Sequence, residues 1–187
     1  MLDFYFDMDE VVYNLSKIVV EQYNHEFNDN MNYKDNKSYW WADCKKAPKS
    51  FFEKLLYKDG LFLHGSCIDG MKELIDKLYN SGHKVHFVTA PQYEGKCFEE
   101  KVQWLKNTFE WFDPSKHFIA TESKYLLAKE NRILIDDNSK YLDQWDKAGG
   151  IAIGFGGFDW TLKYKGLQAK NSNELEWLIQ FIKREDN

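Results

Sequence analysis

Residues 4–14, FYFDMDEVVYN, decide the fold. Aromatic and apolar side chains alternate over residues 2–8 (Phe4, Phe6), the period of a β-strand, and the run stops at the acidic cluster Asp7-Met8-Asp9. Working outward, residues 11–27 carry Val12, Leu15, Val19, Tyr23 and Phe27 at helical spacing. Residues 28–36 form a polar loop rich in Asn and Asp, followed by Tyr39-Trp40-Trp41, a short helical pattern over 50–56 and a break at Gly60. A helix is predicted over 68–79, with Asp69 as its N-cap and Gly82 just past its end. From there the rhythm becomes regular. KVHFV (84–88), 117–120, RILI (132–135) and 151–153 read as strands. Residues 95–109, one turn at 125–129, 140–147 and 173–184 read as helices, the last capped by Asn173 or Ser172. Strands alternating with helices imply right-handed crossovers, and so an α/β fold with a parallel sheet covered on both faces. Residues 14–66 break that rhythm with helix and loop only. The expected domains are therefore an α/β core, 1–13 and 67–187, and a small helical insertion, 14–66, after the first strand.

Composition narrows the function classes. A chain of 187 residues is the size of one domain, or of one domain with a small insertion. With 43% hydrophobic residues it has ample apolar area to offset ordering entropy, which excludes disorder. Lys and Arg number 25 against 30 Asp and Glu, a net charge of −5 that argues against an extended nucleic-acid surface. No apolar run approaches the roughly 20 residues needed to span a bilayer, and the N-terminal stretch lacks the basic region of a signal peptide. Cys44, Cys67 and Cys97 are odd in number, far apart and form no C-x-x-C, which points to a reducing, cytoplasmic setting. The five histidines form no H-x-x-x-H pair and read as structural or surface groups. A surplus of exposed aromatics would point to a homodimer.

In an open parallel sheet, ligands bind outside the carboxyl ends of the strands. Three expected strands end in chemistry there: Asp7-Met8-Asp9, Thr89-Ala90-Pro91 and Asp136-Asp137-Asn138. Four carboxylates at one edge raise one another's pKa and destabilise the fold unless a cation or a shared proton intervenes. An all-oxygen donor set selects a hard ion, and Mg²⁺ is the usual one that keeps waters and takes substrate phosphate. Asp7 and Asp9, two residues apart, point the same way while the strand persists. One can face metal and phosphorus while the other exchanges a proton with the leaving oxygen. A Thr hydroxyl and a lysine ammonium suit the remaining phosphate oxygens. Each piece also has a plain structural reading: D-x-D as a turn or cap, Thr-x-Pro as a strand exit, Asp-Asp-Asn as a helix N-cap, and Lys124 as a solvated charge. Their order, each at the end of an expected parallel strand, favours the functional reading.

FDMDEVVYN, VTAP, SKYLL and ILIDDN, in this order, resemble the four motifs of the haloacid dehalogenase (HAD) superfamily of aspartyl-phosphate phosphatases, and more narrowly the 5′(3′)-deoxyribonucleotidases. The resemblance runs from Phe4 to Phe158 and implies a HAD-like Rossmannoid core with a small helical cap at 14–66. It implies a Mg²⁺-dependent phosphomonoesterase acting on nucleoside monophosphates. Asp7 would be the nucleophile and Asp9 the general acid and base. Mg²⁺ would be held by Asp7, the backbone carbonyl of Asp9 and Asp137, with Asp136 supporting through water. Thr89 and Lys124 would hold the phosphate, with Lys129 as the second candidate for the motif-three lysine. The family lines its base pocket with cap aromatics, and Tyr39, Trp40 and Trp41 sit where these belong. Phe62 matches a further pocket aromatic, and Leu15 falls where the family often has Phe. Glu10 stands where glycine is common, and Ala90 where a hydroxyl residue is common. Two alternatives stay open: a phosphatase for another small phosphate ester or a polynucleotide end, and a catalytically idle HAD-like binding module.

Overall fold

The computed structural model describes residues 2–90 and 95–185, with side chains up to 183. In chain order it forms β1 (Asp3–Phe6), α1 (Leu15–Phe27), α2 (Lys49–Leu56), α3 (Met71–Asn80), β2 (Lys84–Thr89), α4 (Cys97–Thr108), α5 (Pro114–His117), β3 (Phe118–Ala120), β4 (Arg132–Asp136), α6 (Ser139–Lys147), β5 (Ile151–Phe155), β6 (Leu167–Ala169) and α7 (Ser172–Glu185). Single 3₁₀ turns occur at Tyr33–Asp35, Tyr39–Trp41, Lys124–Leu127 and Thr161–Lys163. The six strands make one parallel sheet in the order β3-β2-β1-β4-β5-β6.

The alternation in β1 explains its central place. Phe4 and Phe6 point to one face, where they join Phe87, Ile133 and Ile135 and the helix residues Leu74, Leu105 and Leu175. Tyr5 points to the other, where it meets Val88, Leu134 and the α6 residues Leu142 and Trp145. Both faces are thus covered, as a parallel sheet requires. Burying a side chain of this kind is worth roughly 1.5–3 kcal/mol, so the aromatic strand holds the middle position by area alone.

Residues 14–66 contain α1, α2 and two of the 3₁₀ turns, and no strand among the described residues. Their core, built from Val19, Tyr23, Phe52 and Leu55, is continuous with the Phe4 face of the sheet. The outgoing and returning chains are tied together where they pass. The Asn14 N–H donates to Ser66 O (3.0 Å) and the Ile68 N–H to Val12 O (2.9 Å). Between them the Tyr13 hydroxyl reaches Leu61 O, and the Trp104 indole donates to Gly65 O (2.8 Å).

Several boundaries differ from the sequence expectation for local reasons. α1 begins at Leu15 rather than at 11, because the N–H groups of Val12 and Tyr13 both close on Met8 O (2.9 and 2.8 Å) in a turn. Asn14 then caps the helix by accepting from the Lys17 N–H (3.1 Å). α3 begins at Met71, with Gly70 at φ 73° in the cap position instead of Asp69. The cap of α7 is Asn171, neither Ser172 nor Asn173. Its Oδ1 accepts from the Glu174 N–H (3.0 Å), while the Glu174 carboxylate returns to the Lys170 N–H (2.8 Å). β6 and α5, only three and four residues long, are too short to leave a periodic pattern in the sequence. Pro91, part of the expected strand exit, lies outside the described residues.

Gly65 marks the tightest approach at this junction, since a Cβ there would lie 2.1 Å from the Tyr13 ring. Gly65→Ala is expected to destabilise by about 1–3 kcal/mol, the usual cost of overpacking. Thermal unfolding should show a Tm several degrees lower; an unchanged Tm would mean that Tyr13 moves freely.

Candidate active site

The sheet register assembles the site. Phe6 pairs with both Phe87 and Ile135. The next residues, Asp7 and Asp136, therefore leave their adjoining strands side by side, and the Asp7 N–H still donates to Ile135 O (2.8 Å). Thr89 ends β2 on the other side of β1. Asp7, Asp136 and Asp137 each present a carboxylate oxygen within 4.8 Å of the others.

Two buried lysines face these acids. Lys124, wholly buried at the start of its 3₁₀ turn, donates to Asp7 Oδ1 and to Asp136 Oδ2, the latter at 2.7 Å. Lys129 is exposed, so the structure brings Lys124 and not Lys129 to the cluster. Lys101, on α4, donates to Asp9 Oδ2 (2.7 Å) and to Thr89 Oγ1 (2.9 Å). Burial alone would lower the pKa of each lysine; the facing carboxylates, Asp9 for Lys101 and Asp136 then Asp7 for Lys124, outweigh it and raise both. Sequence reasoning passes over Lys101. It does leave a signal: it shares the buried stripe of α4 with Cys97, Trp104 and Leu105, where a solvated lysine has no place.

The loop after β1 turns sharply, and Glu10 adopts φ 62°. A left-handed conformation costs a non-glycine residue roughly 1–2 kcal/mol. The Glu10 carboxylate offsets this by accepting from the Ser16 N–H (2.6 Å) in the open first turn of α1. Asp136 Oδ1 accepts from the Asn138 N–H (2.8 Å), and Asn138 caps α6 by accepting from Lys140 (3.0 Å). Asn138 thus fills the cap role of the Asp-Asp-Asn run, while Asp136 and Asp137 turn toward Asp7. Asp137 Oδ2 accepts from the Trp160 indole (2.6 Å), whose ring stacks on Phe158 with centroids 4.5 Å apart. Trp160, too, carries no sequence signal beyond the aromatic character of its loop.

Five carboxylates (Asp7, Asp9, Glu10, Asp136 and Asp137) line one cavity of about 250 Å³, and among the described residues Lys101 and Lys124 are the ammonium groups paired with them. Burial raises the Asp7 carboxyl to about 7; the Lys124 ammonium pulls it down, while the Asp136 and Asp9 charges push it up. Burial, followed by the charges of Asp136 and Asp7, holds Asp137 well above the usual carboxylate range. Burial also pushes Glu10 to about 7, against the hydrogen bonding from Ser16. Asp9 Oδ1 is buried and has no partner. Excess negative charge, hard oxygen donors and an orphaned carboxylate oxygen together fit a divalent cation of the Mg²⁺ type.

Aromatic and apolar residues, Leu15, Tyr39, Trp40, Trp41, Leu56 and Trp160, line the cavity beside polar ones that include Ser16, Asn36 and Ser38. Trp40 and Trp41 both have positive φ (58° and 51°). Trp41 is held from behind by a hydrogen bond to Ser16 Oγ (3.0 Å) and a stack on Phe52. Phe62 is not among the lining residues. It lies beneath Lys101, whose ammonium is 4.8 Å from its ring centroid, and its N–H donates to Glu100 (3.1 Å). The chain match that put Phe62 in the pocket is corrected by this turn of the returning loop.

A parallel sheet with D-x-D after its first strand, Thr and a buried lysine beside it, Asp-Asp after the fourth, and a helical segment inserted after the first defines a HAD-superfamily phosphatase. The fold agrees with solved structures. A HAD-superfamily hydrolase from Ehrlichia chaffeensis superposes with a TM-score of 0.61 at 15% identity, over 96% of this chain and 97% of that one. A HAD family hydrolase from Deinococcus radiodurans R1, solved with bound phosphate and sodium, gives 0.57 at 14% identity over 94% and 92%. Within that class, the chain belongs to the family described as 5′ nucleotidase, deoxy (Pyrimidine), cytosolic type C protein, whose profile it matches over residues 1–180. A protein of Staphylococcus epidermidis strain RP62A, named "Putative 5'(3')-deoxyribonucleotidase", is 25% identical over 137 residues, 73% of this chain and 74% of that protein. One of the same name from Staphylococcus aureus strain Mu50 is 29% identical over 90 residues, 48% of each chain.

The charges of the site generate two expectations. Free Asp and Glu titrate near 3.9 and 4.3, whereas Asp7 and Glu10 titrate at about 7 in the fold. Between those values the native state binds more protons than the unfolded one, so these groups destabilise the metal-free protein as pH rises from about 4 to 7. In EDTA, Asp7→Asn should therefore have a higher Tm than the wild type at pH 8, with the gap closing by pH 5. A gap independent of pH would contradict this. Trp160→Phe keeps the stack and removes the indole donor from Asp137. Titration calorimetry should show divalent-cation affinity weakened by about 10–100-fold; unchanged affinity would detach Trp160 from the cation site.

Proposed function

We propose that this nucleotidase-family phosphatase is a Mg²⁺-dependent phosphomonoesterase that hydrolyses nucleoside monophosphates, deoxynucleotides above all, through an aspartyl-phosphate on Asp7. The observation that carries this reading is the meeting of Asp7, Asp136 and Asp137 in one cavity whose other wall is Trp40, Tyr39 and Trp41. An aromatic face opposite a phosphate site suits a planar base, and stacking is worth about 1–3 kcal/mol per base.

In the first displacement an Asp7 oxygen bonds to phosphorus as the ester oxygen leaves, and Asp9 gives that oxygen its proton. Lys101 occupies Asp9 Oδ2, which leaves the unpartnered Oδ1 to carry the proton. In the second, Asp9 takes a proton from water, the water oxygen bonds to phosphorus, and the bond to Asp7 breaks. Lys124 holds Asp7 in position, and the Thr89 hydroxyl, fixed by Lys101, faces a phosphate oxygen. A divalent ion held by Asp7, Asp137 and the Asp9 carbonyl, with Asp136 acting through water, would neutralise charge on the transferred group.

Residues 14–66 serve, in this proposal, as the cap that closes the base end of the cavity, with Leu15 and Trp41 forming its inner lining. The family description favours a cytoplasmic enzyme. The exposed α7 side chains Trp177 and Phe181 would be available to a homodimer contact.

Kinetics test the proposal. With p-nitrophenyl phosphate and a nucleotide panel, Asp7→Asn should abolish turnover, and Asp9→Asn should lower it at least 100-fold. Retained turnover in Asp7→Asn would remove it as nucleophile. Trp40→Ala should raise KM for nucleotides selectively; equal effects on sugar phosphates would favour another small phosphate ester as substrate.

A further inference from the structure

Trp160 joins parts of the molecule that the chain keeps far apart. Its indole donates to Asp137 Oδ2 (2.6 Å), the hydrogen bond that this carboxylate accepts among the described residues. One face of its ring stacks on Phe158, 4.5 Å between centroids and 6° from parallel. Phe158 rests in turn on the backbone, since a Cβ at Gly156 would lie 2.4 Å from its ring. The Thr161 hydroxyl, next along the chain, donates to the Asp137 carbonyl. The β5–β6 connection thus grips Asp137 by its side chain and by its backbone. A residue of the insertion completes the arrangement. The Tyr39 ring meets the Trp160 ring at 68°, with centroids 5.6 Å apart, and meets Trp40 edge-on at 6.0 Å.

We propose that the insertion sets the divalent-cation affinity of the core, with Trp160 as the positioning residue that carries the contact with Tyr39 to Asp137. The inference rests on the cation site of the reading above and adds to it residues that supply no ligand atom. A carboxylate turns about the bond to its Cβ, and a donor fixed on one oxygen sets the direction of the other. Partners of this kind orient the ligands of metal sites and tune their affinity. An indole serves in that way only while its ring stays in place. A ring stacked on one neighbour alone is free to slide across it. Contact with the inclined Tyr39 ring, a favoured aromatic geometry, opposes that slide. The insertion therefore reaches the cation site through two rings and one hydrogen bond.

Titration calorimetry with Mg²⁺ alone, run as a double-mutant cycle, tests the inference without any substrate. Tyr39→Leu removes the ring and should weaken Mg²⁺ binding about 2–10-fold, the weight of one aromatic pair. Tyr39→Phe keeps the ring contact and should bind Mg²⁺ as the wild type does. In a Trp160→Phe background, where the indole donor is gone, Tyr39→Leu should cost no further affinity. Its Tm in EDTA should match the parent's, because Tyr39 is 57% exposed and adds little to the core. Unchanged affinity in Tyr39→Leu, or an equal loss in both backgrounds, overturns the inference while the nucleotidase reading stands. So does a loss in Tyr39→Phe as large as in Tyr39→Leu, or a loss matched by a fall in Tm. Absence of Mg²⁺ binding to the wild type overturns the cation site, and this inference with it.

Discussion

Two ammonium groups buried against a crowd of carboxylates hold this molecule's working edge together. Lys101 and Lys124 are each about 1% exposed, a state in which an unpaired lysine would lose its proton. They stay charged because Asp9 meets one and Asp7 and Asp136 meet the other. The carboxylates depend on the lysines in turn: removing one partner of a buried pair costs about 3–5 kcal/mol. The pairing is incomplete, however. Among the described residues the Asp137 carboxylate accepts from an indole alone, Asp9 Oδ1 has no partner, and burial raises the Asp7 carboxyl to about 7. A cluster balanced fully by lysines would be stable and inert; one short of positive charge has affinity for a divalent cation and for the proton that a leaving group needs.

The sheet makes this crowding unavoidable. Phe6 is flanked on both sides by strands in parallel register, so the residue after it must emerge beside the residue after Ile135. The apolar residues of β1 and β4 set that register, and a slip of one residue would turn Phe4 and Phe6 away from their core. Packing energy spread over the sheet thus fixes the spacing of charges that repel one another. Of the four described non-glycine residues with positive φ, three, Glu10, Trp40 and Trp41, line the cavity, and the fourth, Asn28, ends α1. Strain at sites is common when surrounding structure over-determines it, and here Ser16 supplies part of that support, donating its N–H to Glu10 and accepting from Trp41 through its hydroxyl.

Period and order were the legible features of the chain. The β1 alternation, the strand-helix rhythm and the acids at strand ends located the sheet edge where Asp7, Thr89 and Asp136 meet. Lys124, singled out by the family resemblance, makes buried contacts with Asp7 and Asp136. Boundaries failed where a side chain or a carbonyl outcompeted the pattern, as at Met8, Gly70 and Asn171. Lys101 was invisible because a lysine on an amphipathic helix is ordinarily solvated, although its place in the stripe of Cys97 and Trp104 argued otherwise. Phe62 shows the opposite error: a position aligned along the chain need not face the same way in space.

Helix α4 explains why these separate failures belong to one device. Its consecutive residues Glu100 and Lys101 act on the two parts of the molecule. Lys101 holds Asp9 and Thr89 at the sheet edge, while Glu100 accepts from the N–H groups of Gly60 and Phe62 (2.6 and 3.1 Å) on the chain returning from the insertion. One turn further along, Trp104 fixes Gly65 and packs edge-on against Tyr13, 5.0 Å between centroids. Both strands of the junction therefore rest on the helix that carries the partner of Asp9. A rotation of α4 that freed Asp9 from Lys101 would also pull Glu100 from the returning loop. Phe62 touches both of these residues: its N–H donates to Glu100 (3.1 Å), and its ring centroid lies 4.8 Å from the Lys101 ammonium.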